Sequence, residues 1–398
     1  MLAILSTHPI QYQVPLWQML ARDGRVPFEV WYLSKHATET SRDREFAREF
    51  AWDLDMLEGY PHRFLRTRVG AAPNTPFRMR IAESLPRLFQ DNDVDALWVQ
   101  GWQVAAYWQA VWAARKMGVQ VWLRGESNAL APTPAWKRAV KRPLLGSLFR
   151  RVDHFLCIGS ANRELYRSYR VPDSKLHMAP YAVDNDRFAA QAAALRNSKS
   201  EIRNQWRIPN DAYVVLFCGK FIPKKRPLDL IKAAQLLLTD NAITNNRAPH
   251  VHLLFVGSGE LGVQMRAACD VVFDAESSHS SINNEQITDN RKPRASFAGF
   301  LNQTEISRAY VAADVLVLPS DYSETWGLVV NEAMASGLRC LISDRCGCAP
   351  DLGSYGGNSV FQFGNVERLA ERIANFASSE KRPIASQPPS LQIGRAHV

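Results

Sequence analysis

A chain of 398 residues is too long for one ordinary hydrophobic core, so two domains are expected. Its 46% hydrophobic and 22% charged residues are ordinary for a soluble globular protein, and no run approaches the roughly 20 apolar residues that span a bilayer. The net charge of +9, from 48 basic against 39 acidic side chains, suits phosphate-rich partners without choosing among nucleic acid, an anionic membrane and a nucleotide.

The opening "MLAILS" predicts a strand and is too short, and without a basic leader, for a secretory signal. "VPLWQMLARD" then reads as a helix, and "FEVWYLS", "ALWVQG", "VQVWLRG" and "HFLCIGS" as further strands separated by helix-length segments. After "PYAVDNDRF" a second series begins: "YVVLFCGK", "VHLLFVGSG", "ASFAGF" and "VLVLPS". Such alternation predicts parallel sheets covered by helices. The fold class expected is α/β: two doubly wound, Rossmann-like domains over 1–188 and 205–380, facing a central cleft lined by strand carboxyl ends. The polar "AAQAAALRNSKSEIRNQWRIP" between the halves is the expected hinge. Cys269 to Ala295, rich in serine and asparagine, is expected to be an exposed insertion, and 381–398 disordered. The cysteines at 157, 218, 269, 340, 346 and 348 include no C-x-x-C pair and read as reduced thiols rather than a metal site, as in a cytoplasmic protein.

The chemistry concentrates in the second half, where strand ends are followed by basic, glycine and acidic residues. "LFCGKFIPKKRPLDLIKAA" puts Lys220 directly after a strand and Lys225 before a helix, where cations can neutralise a diphosphate. "FVGSGEL" puts Gly257 and Gly259 at the next strand end, where a missing Cβ lets a flat ligand approach the backbone. "LPSDYSETWGLVVNEAMASG" runs strand, turn and helix, an arrangement that binds anions, with Glu324 just before the helix and Glu332 inside it. Two carboxylates beside a phosphate-binding helix end suggest a ligand carrying both phosphate and hydroxyls. Paired carboxylates also serve glycoside hydrolysis, but a hydrolase does not require the phosphate-binding neighbours.

These residues resemble the retaining, nucleotide-sugar-dependent glycosyltransferases of family 4 (group 1), which have the GT-B fold. The likeness lies in Gly219-Lys220, Lys225, Gly257-Ser258-Gly259, Glu324 with Glu332, and "PYAVDNDRF" at Pro180 to Phe188. It implies a donor site in which Glu324, the catalytic candidate, holds hydroxyls of the donor sugar. Glu332, eight residues on and about 12 Å away at helical rise, would hold the ribose. The N–H groups near Gly327, Leu328 and Val329 would face the diphosphate. Lys220 stands where the family has arginine, which can bind phosphate bidentately as lysine cannot. The amino-terminal "HPIQY" and "FAWDLDMLEGYPHRFL" resemble a bacterial subgroup and make His8 and Gln11 candidate cleft contacts. "WLRGESNA" places Arg124 and Glu126 at a strand end where relatives carry a histidine, close to the sugar.

One basic run, "PAWKRAVKRPLLGSLFRR" (134–151), holds six cations and no acid, interleaved with apolar residues, and suits either an anionic membrane surface or a solvated helix face. No nucleic-acid module is recognisable. The expected function is transfer of a sugar from a nucleoside diphosphate to a glycan or lipid-linked acceptor hydroxyl, in bacterial cell-surface polysaccharide synthesis. No cofactor or metal is expected, and the location is cytoplasmic, peripheral to the membrane. The rivals are a GT-B sugar-nucleotide epimerase and a non-catalytic membrane- or nucleic-acid-binding protein on the same fold. In the family, carboxyl-terminal helices continue past the last convincing helix, "NVERLAERIANFASS". Residues 393–398, "IGRAHV", also translate ATCGGAAGAGCACACGTC, the start of a common sequencing adapter, so the natural chain is expected to be longer.

Overall fold

The computed structural model describes residues 1–36, 55–68, 78–132, 134–239, 250–277 and 291–379, with the backbone alone at 41–43 and 48–50. The tail 381–398, with its adapter-like end, and the middle of the 269–295 segment lie outside the described residues. The described chain divides into two compact units, one running to Tyr181 and the other from Ala182.

The first unit is built on a seven-stranded sheet. In sheet order its strands are His62–Phe64, Phe28–Tyr32, Leu2–Ser6, Ala96–Val99, Gln120–Leu123, His154–Cys157 and Leu176–Met178, all paired in parallel. Two of these, His62–Phe64 and Leu176–Met178, escape the sequence reading because each is only three residues long. Strand alternation sends Ala3 and Leu5 to one core and Leu2 and Ile4 to the other, so both faces are covered. On one face Val99, Val121 and Phe155 meet Ala106, Ala110 and Ala114 of the helix Ala105–Met117, where small side chains let helix and sheet approach closely. On the other, Trp17 of the helix Val14–Asp23 packs edge-to-face on Trp98, ring centroids 5.3 Å apart.

The second unit repeats the plan with Asp270–Asp274, Arg294–Gly299, Val251–Val256, Tyr213–Cys218, Val315–Leu318, Cys340–Ser343 and Ser359–Phe361, again parallel. Its core sets Phe217, Phe255 and Phe297 against Leu230, Ile231 and Ala234 of the helix Pro227–Thr239. Asp270–Asp274 corrects the expectation of an insertion beginning at Cys269. Cys269 is buried, "VVF" forms an edge strand, and Arg266 holds Asp274 with Nε 2.6 Å from its carboxylate. The expected hinge is also structured. Helices Asn185–Leu195 and Lys199–Gln205 belong to the second unit, where they bury Phe188, Ala192 and Ile202, with Trp206 buried just beyond.

The second helix is tied down through charge. Arg203 and Asp314 are 4% and 5% exposed and meet at 2.7 Å, while Lys199 reaches the other carboxylate oxygen at 3.1 Å. Asp314 also accepts the Val214 N–H at 2.9 Å, and Arg203 donates to the carbonyls of Ala312, Asn210 and Ala212. Burial raises the Asp314 carboxyl, but Lys199, the Val214 N–H and Arg203 outweigh it and hold the group below the usual aspartate range. Its contribution to stability is therefore complete above the ordinary value of about 3.9 and drains away as the pH falls through its lower folded value. Asp314→Ala should destabilise the second unit by about 3–5 kcal/mol in urea unfolding, because Arg203 is left buried without its counter-charge. A loss under about 1 kcal/mol would show that Arg203 is satisfied by carbonyls alone.

Candidate functional site

In each sheet the chain order reverses beside the first strand, and the loops at such a reversal form the natural ligand crevice of a doubly wound fold. In the second unit the reversal lies between Tyr213–Cys218 and Val315–Leu318, which pair directly. The loop after the first of these ends in the short turn Pro223–Lys225, and the loop after the second carries Glu324. Their side chains meet as a Lys225 Nζ–Glu324 Oε2 ion pair, largely shielded from water. The charge of Glu324 and its hydrogen bond raise the Lys225 ammonium above its usual value, outweighing the opposing effect of burial. The two loops are also sewn together by the Asp321 N–H, which donates to the Lys224 carbonyl at 2.9 Å.

The Glu324 loop is shaped from behind by Gly347 of "CGC". The Gly347 N–H donates to the Glu324 carbonyl at 2.9 Å, and a Cβ there would fall 1.8 Å from the Thr325 carbonyl oxygen. Cys346 and Cys348, on either side, are buried free thiols. Trp326 is buried and donates from its indole N–H to Asn331 at 2.9 Å. Gly327, at φ 107°, then turns the chain into the helix Leu328–Ala335, whose first N–H groups have no partner within the helix. The helix begins four residues after Glu324, so the expected 12 Å of continuous helical rise between Glu324 and Glu332 does not apply; only the last stretch is helical.

Gly257 and Gly259 act differently from the sequence expectation. The space left by each missing Cβ is taken by protein backbone: a Cβ on Gly257 would lie 2.1 Å from the Gly219 carbonyl oxygen, and one on Gly259 2.7 Å from that of Phe221. Gly219 donates to Val256 at 2.9 Å and Phe221 to Ser258 at 2.8 Å, so the glycines press the Lys220 loop against the neighbouring strand end. Lys220 is half-buried within this pair of loops.

Glu332 accepts a hydrogen bond from the Tyr310 hydroxyl at 2.5 Å. Burial raises its carboxyl above the usual range, only partly opposed by the Tyr310 hydrogen bond, the charge of Arg187 and Gln303. Arg187 is itself held by Gln303, at 3.1 Å from the carbonyl and 2.9 Å from the side-chain oxygen. The sequence reading missed Tyr310, Gln303 and Arg187 as partners, although Arg187 stands in the quoted "PYAVDNDRF".

In the first unit, Ser6 ends its strand and Gln100 and Arg124 come just past the next two, all three buried and polar. Among the described residues, Arg124 Nε and Gln100 Nε2 are buried without a hydrogen-bond partner. The Arg124 guanidinium lies 4.3 Å over the Tyr181 ring. Glu126 accepts from both Tyr181 and Tyr12, the latter at 3.3 Å, so Arg124 and Glu126 do share one cluster. His8 has Nδ1 2.9 Å from the Thr7 hydroxyl and its ring edge-on to His36 at 5.3 Å. Burial, and then His36, lower its imidazole to about 4, so it is neutral at pH 7. Gln11 is half-exposed in the turn before the first helix. Among the described residues no three histidine, cysteine or carboxylate side chains gather as a metal site would require.

Residues 198–386 match the family model described as glycosyl transferases group 1, and residues 14–182 match the glycosyl transferase 4-like domain. Spore coat protein SA of Bacillus subtilis (strain 168) is 28% identical over 190 residues, 47% of this chain and 45% of that protein. The D-inositol 3-phosphate glycosyltransferase of Stackebrandtia nassauensis is 30% identical over 171 residues, 42% of this chain and 33% of the relative. The chain thus matches less than half the length of these relatives. The solved structure of Anabaena Alr3699/HepE in complex with UDP and glucose superposes with a TM-score of 0.60 over 98% of this chain and 96% of that one, at 15% identity, which is a likeness of fold. That fold is the GT-B class, with two parallel-sheet units. With one family model on each unit, the chain belongs to the group 1 glycosyltransferases.

Proposed function

We propose that this chain moves a sugar from a nucleoside diphosphate donor to a hydroxyl of a glycan or lipid-linked acceptor with retention of configuration, in bacterial cell-surface polysaccharide synthesis on the cytoplasmic side of the membrane. The observation that carries this reading is the Lys225–Glu324 ion pair at the strand reversal of the second unit, beside the helix that starts at Leu328. It is supported by the names of the relatives, one a D-inositol 3-phosphate glycosyltransferase, and by the UDP and glucose bound to the HepE structure.

In this reading Lys220, Lys225 and the N–H groups of Leu328 and Val329 receive the diphosphate, Glu324 receives sugar hydroxyls, and Glu332 the ribose hydroxyls. The bond between the anomeric carbon and the diphosphate oxygen breaks while the acceptor oxygen bonds to that carbon on the same face. The acceptor proton leaves on the departing diphosphate. The two lysines and the helix dipole stabilise the charge that grows there, so no metal or cofactor is required.

Glu324→Ala should lower transfer by about a hundredfold or more, since the sugar loses its positioning contact. Turnover like that of the unaltered chain, assayed as nucleoside diphosphate release from a panel of nucleotide sugars with acceptor present, would remove Glu324 from the site. Recovery of an epimerised nucleotide sugar with no diphosphate released would replace the transferase reading with an epimerase. Lys225→Ala should weaken UDP binding by about 1.5–3 kcal/mol in calorimetry, the scale of a charge-assisted hydrogen bond; unchanged affinity would exclude Lys225 from phosphate contact.

The raised Glu332 carboxyl adds a pH dependence. It takes up a proton at a higher pH than an ordinary glutamate, and the protonated form offers one acceptor fewer to a ribose. UDP affinity should therefore decline as the pH is lowered from 7 towards 5, and Glu332→Gln should flatten the decline. A pH profile of affinity identical in both proteins would show that Glu332 does not face the nucleoside.

A further inference from the structure

The helix Ala135–Phe149 in the first unit has two dissimilar halves. Its last turns are anchored: Leu145, Leu148 and Phe149 are buried, and Phe149 packs edge-on against Trp102, Phe155 and Tyr166. From Ala135 to Leu144, every residue is exposed. A helix that serves only its own domain hides one face along its length, and this half hides none. Three of its exposed side chains are large and apolar, Trp136 at 68%, Val140 at 66% and Leu144 at 49%. At i, i+4 and i+8 they form one stripe about 12 Å long. At about 100° of turn per residue Leu145 and Phe149 point to the opposite side, while Leu148, the next step of the same series, is buried at the anchored end, so the stripe stands clear of the protein from Trp136 to Leu144.

Charge accompanies the stripe. Lys137, Arg138, Lys141 and Arg142 fall within six successive residues, and the helix contains no aspartate or glutamate. Lys137 and Lys141 border the stripe, and the Lys137 ammonium lies 5.3 Å over the Trp136 ring. Pro143, inside the helix, supplies no N–H to the Ala139 carbonyl and marks the join between the anchored and exposed halves.

We propose that this exposed half is a membrane-docking element whose partner is an anionic lipid bilayer surface. Such a surface answers both features at once: the boundary of the acyl chains takes Trp136, Val140 and Leu144, and the anionic headgroups take the four cations, with the lysine stems lying along the interface. A polyanion such as nucleic acid would use the charges and leave the apolar stripe in water. The helix lies on the surface rather than crossing it, because fifteen residues rise only about 22 Å against a hydrocarbon core of about 30 Å. This inference stands apart from the transferase reading, since vesicle binding is measured with neither donor nor acceptor present.

The test is sedimentation of the full chain with vesicles of mixed phosphatidylglycerol and phosphatidylcholine, against phosphatidylcholine alone. The chain should bind the anionic vesicles about tenfold better, and added salt should weaken that preference. Two variants separate the contributions: one changes Lys137, Arg138, Lys141 and Arg142 to Gln, the other changes Trp136, Val140 and Leu144 to Ser. Each should lower anionic-vesicle binding about tenfold with an unchanged melting midpoint, because every altered residue is exposed. Binding unaffected by either variant, or equal binding of the unaltered chain to both vesicle types, would overturn the proposal. So would full vesicle binding by the serine variant together with a loss of DNA binding in the glutamine variant, which would reassign the run to nucleic acid.

Discussion

The second unit depends on one buried carboxylate. Asp314 stands at the start of Val315–Leu318 and accepts the Val214 N–H at the start of Tyr213–Cys218. Those two strands pair Val215 with Val315 and Leu216 with Leu316, and the loops that carry Lys225 and Glu324 leave from their far ends. A slip of one residue would turn every side chain of a strand to the other face. By clamping both strands at the amino end, with Arg203 and Lys199 supplying the counter-charge, Asp314 fixes where the two loops emerge. This buried charge network lies at the edge of the sheet remote from the loops that carry Lys225 and Glu324. The carboxyl edge is left to polar groups that a compact core could not hold.

Close backbone packing then brings the loops together. Gly219, Gly257 and Gly259 adopt positive φ, and the space of the missing side chains of Gly257 and Gly259 is taken by neighbouring main chain. Gly347 does the same behind the Glu324 loop. The glycines thus set the spacing of the charged residues, and the charges themselves do not have to hold the loops in place. Such loops can present a lysine and a glutamate with little rearrangement when a ligand arrives, which is the condition for electrostatic preorganisation.

Much of this was legible in the sequence. The long buried strands announced themselves by apolar density: "YVVLFC", "VHLLFV" and "VLVL" are near-continuous apolar runs, as parallel strands covered on both faces must be. The edge strands did not, because His62–Phe64 and Ser359–Phe361 are three residues long and carry no periodicity. The helices over 185–205 read as a polar linker because their buried residues are few and widely spaced, while the charged Arg203 is buried by a partner a hundred residues away. Lys225 and Glu324 could be picked out by their positions after strands, yet their contact is a long-range fact that spacing does not contain. The same holds for Tyr310 on Glu332, and for Tyr12 and Tyr181 on Glu126.

The ion pair also bears on what the site can accept. Lys225 and Glu324 are both largely shielded from water, and each offsets the other's loss of solvation while no ligand is bound. A ligand that drew Lys225 away with a phosphate alone would leave Glu324 short of a partner. One that offered Glu324 hydroxyls alone would gain little from a carboxylate already satisfied. A molecule with hydroxyls and a diphosphate a bond apart replaces both halves of the pair together, and the helix N-terminus beside Gly327 adds a further attraction to its anionic part. In the transferase reading the resting pair is therefore a filter: it favours an intact nucleotide sugar over free sugar or free phosphate. The carboxylate before the helix and the lysine opposite it are then one recognition device rather than two separate contacts.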